Sequence, residues 1–482
     1  MIEARVTDAH QICELDGATL TEAYSKGLLS PVEVVIATLE RAEQIQDQVN
    51  AFTFLDPEGA LSAARAAEAR WRAGAPRSPI DGVPTTLKDI VHVVNWSVRY
   101  GSRVSEASPF GDDAPAVAGL RDAGAVFIGQ TTTPEFGWKA VTDSALCGIT
   151  RNPWNPNVTP GGSSGGAAVA AACGAGVLHL GTDGGGSIRI PASFTGTVGH
   201  KPSFGRVGAC PPNVFGTVAH IGPMTRTVGD AITMLTAMAG RDRRDWTQPP
   251  MAFPDLTTSA ISWTGKRIGY WKTPIVGAVC PEVARAVEAV LDDLETAGAE
   301  IHEVALPGRA DLLEVFYRHW YVGAANRLST IPLAARAALD PGFLNAAEVG
   351  ERYSAVDRMW AEVRRAQYGA AMDGLLIDFD FLMSPTVPTV PFTAGRDVPD
   401  GSGLENWIEW SSFSFPINLS QQPACSVPCG FTPDGLPIGL QIISARGDDA
   451  GVLSAALAYE QLYTDRFLTP GGTWPELTGG AR

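Results

Sequence analysis

Two glycine–serine knots confine what this chain can become. The stretch NPNVTPGGSSGGAAVAAACGAGVLHLGTDGGGSIRIPASFTG, residues 155–196, holds one knot at 161–166 and a second at 184–186. Each is joined to serine, and a run of small residues lies between them. Glycine lets a main chain approach closely and adopt angles that other residues avoid, so this much of it brings backbone N–H groups close to something. That something is a phosphate, an oxyanion or another backbone.

The residues weigh these readings unequally. A P-loop needs GxxxxGK[ST], and neither knot is followed by lysine; the dinucleotide fingerprint GxGxxG is missing too. Gly161-Gly162-Ser163-Ser164-Gly165 fits GxSxG, but that elbow follows a strand, whereas RNPWNPNVTP reads as a loop. The later histidines, His179, His200, His220, His302 and His319, lie in no recurring catalytic context. Close packing of glycines, with serines satisfying the loop backbone, is the plain reading. The chemical reading adds Lys88, in the β-branched run VPTTLKDIVHVV. A lysine on an edge strand points to solvent, but a buried one loses its charge. The neutral amine is then a base able to activate serine. The N–H groups of Gly184, Gly185, Gly186 and Ser187 can converge on a developing oxyanion.

Organisation and composition narrow the class. A length of 482 residues with 45% hydrophobic and 18% charged residues suits a globular protein with a large core. Acids exceed bases, 52 to 36, for a formal charge of −16, which repels a nucleic-acid backbone. The seven cysteines form no CxxC, and Cys425 and Cys429 lack nearby histidines, so buried free thiols are expected and no metal site. Neither a signal-peptide core nor a membrane-length apolar run is seen, so the expectation is a cytoplasmic protein.

Residues 18–72 read as helical, with a capping box at Ser30-Pro31-Val32-Glu33. From Asp81 onward helix and strand alternate, which indicates an α/β fold with a buried sheet. DGVPTTLKDIVHVV reads as turn then strand. Residues 240–264 read as a proline-rich surface excursion. KRIGYW reads as a strand and residues 310–375 as mostly helical. CSVPCGFTPDGLPIGLQIIS reads as two strands about a turn, with a helix from about Asp449.

The chain is similar to the amidase signature family. The resemblance rests on PGGSSGGAAVAAACGAGVLHLGTDGGGSIRIPASFTGTVGHKP (160–202), DGVPTTLKDI (81–90), GQTTTPEFG (129–137) and PINLSQQPACSVPCGFTPDGLPIGLQII (416–443). The spacing from Lys88 to Ser163 to Ser187 fits as well. The resemblance implies a single α/β domain with a mixed, twisted central sheet wrapped by helices. An N-terminal helical segment, 1–72, is expected to pack on a signature domain, 73–482, as one continuous unit. The resemblance further implies a Ser–cis-Ser–Lys triad: Ser187 as nucleophile, Ser163 as bridge after a cis Gly162–Ser163 peptide, and Lys88 as base. It places the oxyanion at the N–H groups of Gly184, Gly185, Gly186 and Ser187, with Asp183, Arg189, Ser164 and Gly162 in support. Asp89 either orients the amine or is a solvated strand-end acid. Gln130, Gly184, Trp96 and Arg99 depart from common family residues.

No cofactor or metal is implied. The expected partner is a small amide substrate, without nucleic acid or membrane, bound by a monomer or homodimer. Phe136, Trp138, Trp320 and Trp410 are the candidate pocket residues, with Tyr321, Trp407 and Phe413 in similar segments; aromatic walls favour an apolar or aromatic amide. The tail resembles broad-specificity amidases, including aryl acylamidase-like and cyclic amide hydrolase-like members, with esters and carbamates as side substrates. The alternative is the A subunit of a tRNA-dependent amidotransferase.

Overall fold

Short apolar runs between helices assemble into one large sheet. A computed structural model describes residues 6–251 and 253–477. Its strands are β1 (Phe52–Leu55), β2 (Pro84–Lys88), β3 (Val126–Thr131), β4 (Asp143–Ser144), β5 (Gly148–Ile149), β6 (Leu178–Asp183) and β7 (Val198–Lys201). They continue with β8 (His220–Thr225), β9 (Arg267–Tyr270), β10 (Glu300–Glu303), β11 (Phe381–Pro385), β12 (Ala424–Phe431) and β13 (Pro437–Ile443). Eleven of them form a sheet in the order β1-β3-β2-β6-β8-β7-β12-β13-β11-β9-β10, while β4 and β5 make a separate pair. The sheet is mixed: β3, β2 and β6 run parallel, as do β11, β9 and β10, and the strands between are antiparallel. Helices cover it, as the α/β reading requires.

β2 and β3 are buried along their whole length, which explains why PTTLK and VFIGQT carry no polar/apolar alternation. β2 stops at Lys88, earlier than the β-branched run suggests. The N–H groups of Ile90 and Val91 turn back onto the Lys88 carbonyl. Beside it, parallel β6 ends at Asp183, with Leu87 opposite Leu180 in register. Both chains therefore leave the sheet at the same, carboxyl, edge, where open α/β sheets hold their ligands.

Each knot opens a short helix, Gly165–Ala172 and Arg189–Thr195, buried throughout. The first lies so close to the sheet that a Cβ on Gly166 would sit 2.4 Å from Thr132 Oγ1. The Ser30/Glu33 capping box starts the helix Pro31–Val49. Helical reading of 18–72 misses β1, which pairs antiparallel with β3 at the sheet edge. Four residues with two exposed side chains, set between two helices, leave no strand periodicity to detect.

Apart from a single bridge at Gly240, the described residues of 240–264 form neither helix nor strand. Their anchor is Arg206, which donates to the Pro254 carbonyl at 2.8 Å and lies 4.6 Å over the Phe253 ring. A cavity of about 240 Å³ opens between this segment and Gly205, Arg206 and Thr236. The terminal hairpin β12–β13 and the helix Asp449–Leu462 fall where the sequence places them. The cysteines are free; Cys13, Cys173, Cys425 and Cys429 are buried, whereas Cys147, Cys210 and Cys280 are only partly so. Among the described residues no helix is long and apolar enough to cross a membrane. One of the two large core clusters is strongly aromatic, and it contains Phe136, Trp138, Phe316, Trp320, Trp407 and Trp410.

Candidate active site

Lys88 is fully buried at the end of β2. Its Nζ lies 2.7 Å from Ser163 Oγ, 2.9 Å from Ser164 Oγ and 2.9 Å from Thr182 Oγ1. Burial pushes its pKa well below the ordinary lysine value, and the Asp183 charge only partly opposes this. The amine is thus biased to the neutral form, with two N–H donors and one lone pair. Three hydroxyls around it satisfy both donors and leave one hydroxyl to donate to the nitrogen. No carboxylate pairs with Lys88 among the described residues.

The first knot is fitted around this amine. The Gly162–Ser163 peptide is cis. A Cβ at Gly162 would approach the Val141 main chain to 2.5 Å, so only glycine fits there. Ser164 donates to the Thr182 carbonyl at 3.1 Å and accepts from the Thr182 N–H at 3.2 Å, which stitches the knot to β6. The Ser164 N–H donates to the Ser187 carbonyl at 3.1 Å and joins the two knots. Ser163 and Ser187 are 2% and 4% exposed, so both sit in the same enclosed region. Their hydroxyls are not hydrogen-bonded to each other.

In the second knot two carbonyls are tied down and three N–H groups are open. Ser414 Oγ donates to the Gly185 carbonyl at 2.7 Å, and the Ile190 N–H donates to the Gly186 carbonyl at 2.7 Å. Among the described residues the N–H groups of Gly184, Gly185 and Ser187 have no acceptor. Unpaired main-chain donors in an enclosed loop are rare, and here three of them lie beside one serine. Gly186 differs from the sequence expectation. Its N–H donates to Asp183 Oδ1 at 2.8 Å and is removed from the donor set.

Asp183 explains the loop's shape. Its carboxylate accepts from the N–H groups of Gly186 and Ile188, from Arg189 Nε and Nη2 at 3.0 and 2.9 Å, and from Asn418 Nδ2 at 2.8 Å. Burial alone would raise its pKa; the Arg189 pair, Lys201 and Asn418 outweigh burial and hold it below the usual carboxylate range. Arg189 in turn donates to Gln441 Oε1 and Asn418 Oδ1, both at 2.6 Å. Sequence reading finds Asp183 and Arg189 but misses Thr182, Asn418, Ser414 and Gln441. The last three lie more than two hundred residues along the chain.

Aromatic rings back the loop. A Cβ on Gly184 would meet the Trp320 ring at 2.8 Å, and one on Gly185 would meet Phe316 at 2.9 Å and Trp407 at 3.0 Å. Trp320 donates its Nε1–H to the Trp138 carbonyl at 2.9 Å. Gly137 presents its Cα to Ser163, with a notional Cβ 3.2 Å from Ser163 Oγ, and so places Phe136 and Trp138 on either side of that contact. Trp410 behaves differently: it stacks on Phe194 and donates to the Asp397 carbonyl, as part of the core. Phe316 is the ring that sequence reading omits. Asp89 meets neither expectation. It is buried, its pKa is pushed up to about 6 by burial, and it accepts from the N–H groups of Arg99 and Gly101.

Comparison with known proteins agrees with this geometry. A family model described as Amidase matches residues 33–453. The A subunit of glutamyl-tRNA(Gln) amidotransferase from Myxococcus xanthus is 34% identical over 94% of this chain and 98% of that protein. A bacterial aryl acylamidase structure superposes with a TM-score of 0.87 at 29% identity, covering 95% of this chain and 99% of that one. The structure of 6-aminohexanoate cyclic dimer hydrolase complexed with substrate gives 0.84 at 26%, covering 93% and 97%. Sequence, fold and the arrangement around Lys88 agree: this chain belongs to the amidase signature family.

Proposed function

We propose that the protein hydrolyses the C–N bond of a small apolar or aromatic amide through an acyl-enzyme on Ser187. The observation that carries this reading is the buried Lys88 amine, its pKa pushed well down by burial, 2.7 Å from Ser163 and beside a serine loop with three open N–H groups. Lys88 Nζ takes the Ser163 proton as Ser163 Oγ takes that of Ser187. Ser187 Oγ attacks the amide carbonyl, and the N–H groups of Gly184, Gly185 and Ser187 receive the oxyanion. Ser163 returns a proton to the leaving nitrogen, because an amide expels an amine only once it is protonated. Water then enters by the same relay and releases the acid. The Ser163–Ser187 hydrogen bond forms when substrate seats, as such contacts tighten in the bound complex.

Esters and carbamates follow as side substrates, since acylation needs a polarised carbonyl and a leaving group. The chain acts alone, as monomer or homodimer, in the cytoplasm. A second reading, the A subunit of an amidotransferase, draws on the 34% identity to a protein of that name. Turnover of anilides by the purified chain without ATP or partner supports the first reading. Release of ammonia from glutamine alone, and only with a partner added, supports the second.

A further inference from the structure

The helix Leu312–Ser329 carries Phe316 and Trp320 against the oxyanion loop, and its next residues on the same stripe are Gly323 and Arg327. Seven residues separate Trp320 from Arg327, which is two turns or about 10 Å along the helix. Arg327 is half-buried, with its guanidinium 4.5 Å over the Phe136 ring and 5.5 Å over the Tyr100 ring. Phe136 precedes Gly137, which touches Ser163. The arginine thus stands beside the wall that leads to the two serines.

Among the described residues Arg327 side-chain nitrogens make no hydrogen bond and no ion pair. The nearest carboxylate that it feels is Glu135, and that group is already occupied: it accepts from Ser102 Oγ at 2.5 Å and from the Asp340 N–H at 2.6 Å. In a chain with sixteen excess acids, a half-buried arginine with no acid paired to it among the described residues can take an external carboxylate. Two rings flank the guanidinium carbon, and its N–H edge makes no bond to protein among the described residues. That edge is the fork that binds a carboxylate through two parallel N–H···O bonds.

We propose that Arg327 anchors a substrate carboxylate, so that the protein prefers amides bearing a terminal carboxylate across an apolar spacer. The spacer runs past Phe136 toward Gly137 and Ser163, and the carbonyl rests on the loop N–H groups. This rests on the amidase reading and adds the class of substrate.

The test uses the full chain and paired probes. Azelaic acid mono-4-nitroanilide carries the carboxylate on the acyl arm, and nonanoyl 4-nitroanilide is its neutral counterpart. N-acetyl-8-aminooctanoate and N-acetyloctylamine are the pair for the amine arm. The expected result is a preference of about tenfold or more for the acid of one pair in kcat/KM, expressed in KM. Arg327→Gln brings that ratio to about one, and Arg327→Lys restores part of it. Binding of the same pairs to the Ser187→Ala protein by calorimetry reads the preference without turnover. If turnover is absent but the acid still binds better and Arg327→Gln abolishes the difference, the amidase reading fails and the carboxylate site stands. Equal binding of acid and neutral probes, or a preference that survives Arg327→Gln, overturns the proposal.

Discussion

Lys88 matters because of where its proton is not. A lysine in water holds its charge to about pH 10.4 and would be an idle base at neutral pH. Burial lowers its pKa well below that value. The active form is the deprotonated one, so kcat/KM rises as pH climbs through the lowered pKa and then levels. We expect the plateau to be reached well before the ordinary lysine range, as read from a pH profile on a neutral anilide. A rate still climbing through pH 10 would mean a lysine with an unperturbed pKa. Gly186 provides a steric counterpart. Its φ of 124° and a Cβ position 2.3 Å from Ser414 Oγ leave no room for a side chain. Gly186→Ala should therefore lower kcat by roughly 100-fold or more, the size of effect seen when an oxyanion donor is lost. A smaller loss of kcat would mean that the loop can shift without misplacing its donors.

At the scale of elements, catalysis and stability separate. The helix Phe415–Ser420 delivers Asn418, whose Nδ2 donates to the Asp183 carboxylate, the Asp183 carbonyl and the Val218 carbonyl. Asn418→Ala leaves buried acceptors unpaired and should cost about 1–3 kcal/mol of stability, with kcat falling more than KM rises. The helix Pro31–Val49 lies at the other extreme. Ser30→Ala breaks its capping box and should cost about 1 kcal/mol in urea unfolding while kcat stays unchanged. These two helices also mark what a sequence yields. Ser30 and Glu33 are three residues apart, and their cap is legible because it is local. Asn418 reads as an ordinary polar residue in PINLSQQP, because its partners are brought to it only by the folded sheet. The same holds for β1, an edge strand too short for periodicity, and for Gly186. Its glycine is visible in the sequence, but the direction of its N–H is set by Asp183. Ser163 and Ser187 stand out because glycine-rich knots leave a compositional trace, whereas Lys88 lies outside them in a β-branched run and is joined to them as a triad by the family resemblance. Of the candidate pocket rings, all in one core cluster, Trp320 packs against the Gly184 position and Phe136 flanks the Gly137–Ser163 approach, while Trp410 stacks on Phe194, a distinction that residue type does not carry.

For the whole molecule, the buried charges tie stability to pH. His179, His200 and His220 are buried with pKa values lowered by burial, so the unfolded chain takes up their protons first as pH falls below about 6.5. Asp183 and Asp449 add the same sign at lower pH. Burial of Asp449 is outweighed by His200, Arg206 and the Ser203 N–H, and its carboxyl stays below the usual range. The stability that these carboxylates supply is complete above about pH 4 and is lost as pH falls further. Asp89, Asp230 and Glu460 work the other way: burial raises them to about 6, 7 and 7, so the folded chain takes up their protons first between pH 7 and 5 and offsets the histidines. Urea midpoints should therefore stay nearly level from pH 7 to 5 and fall from 5 to 3. A midpoint that is constant to pH 3 would mean that these groups are not ionised as their surroundings dictate.

The central claim is that one serine, Ser187, is made nucleophilic by a buried lysine through a second serine. Its most direct measurement is the intact mass of the purified chain after exposure to a fluorophosphonate, with peptide mapping of the adduct. The account predicts a single adduct on Ser187, absent from Ser187→Ala and slowed at least about 100-fold in Lys88→Ala, as expected for loss of general-base help. An adduct on Ser163, or labelling of Ser187 that is indifferent to Lys88, would contradict it.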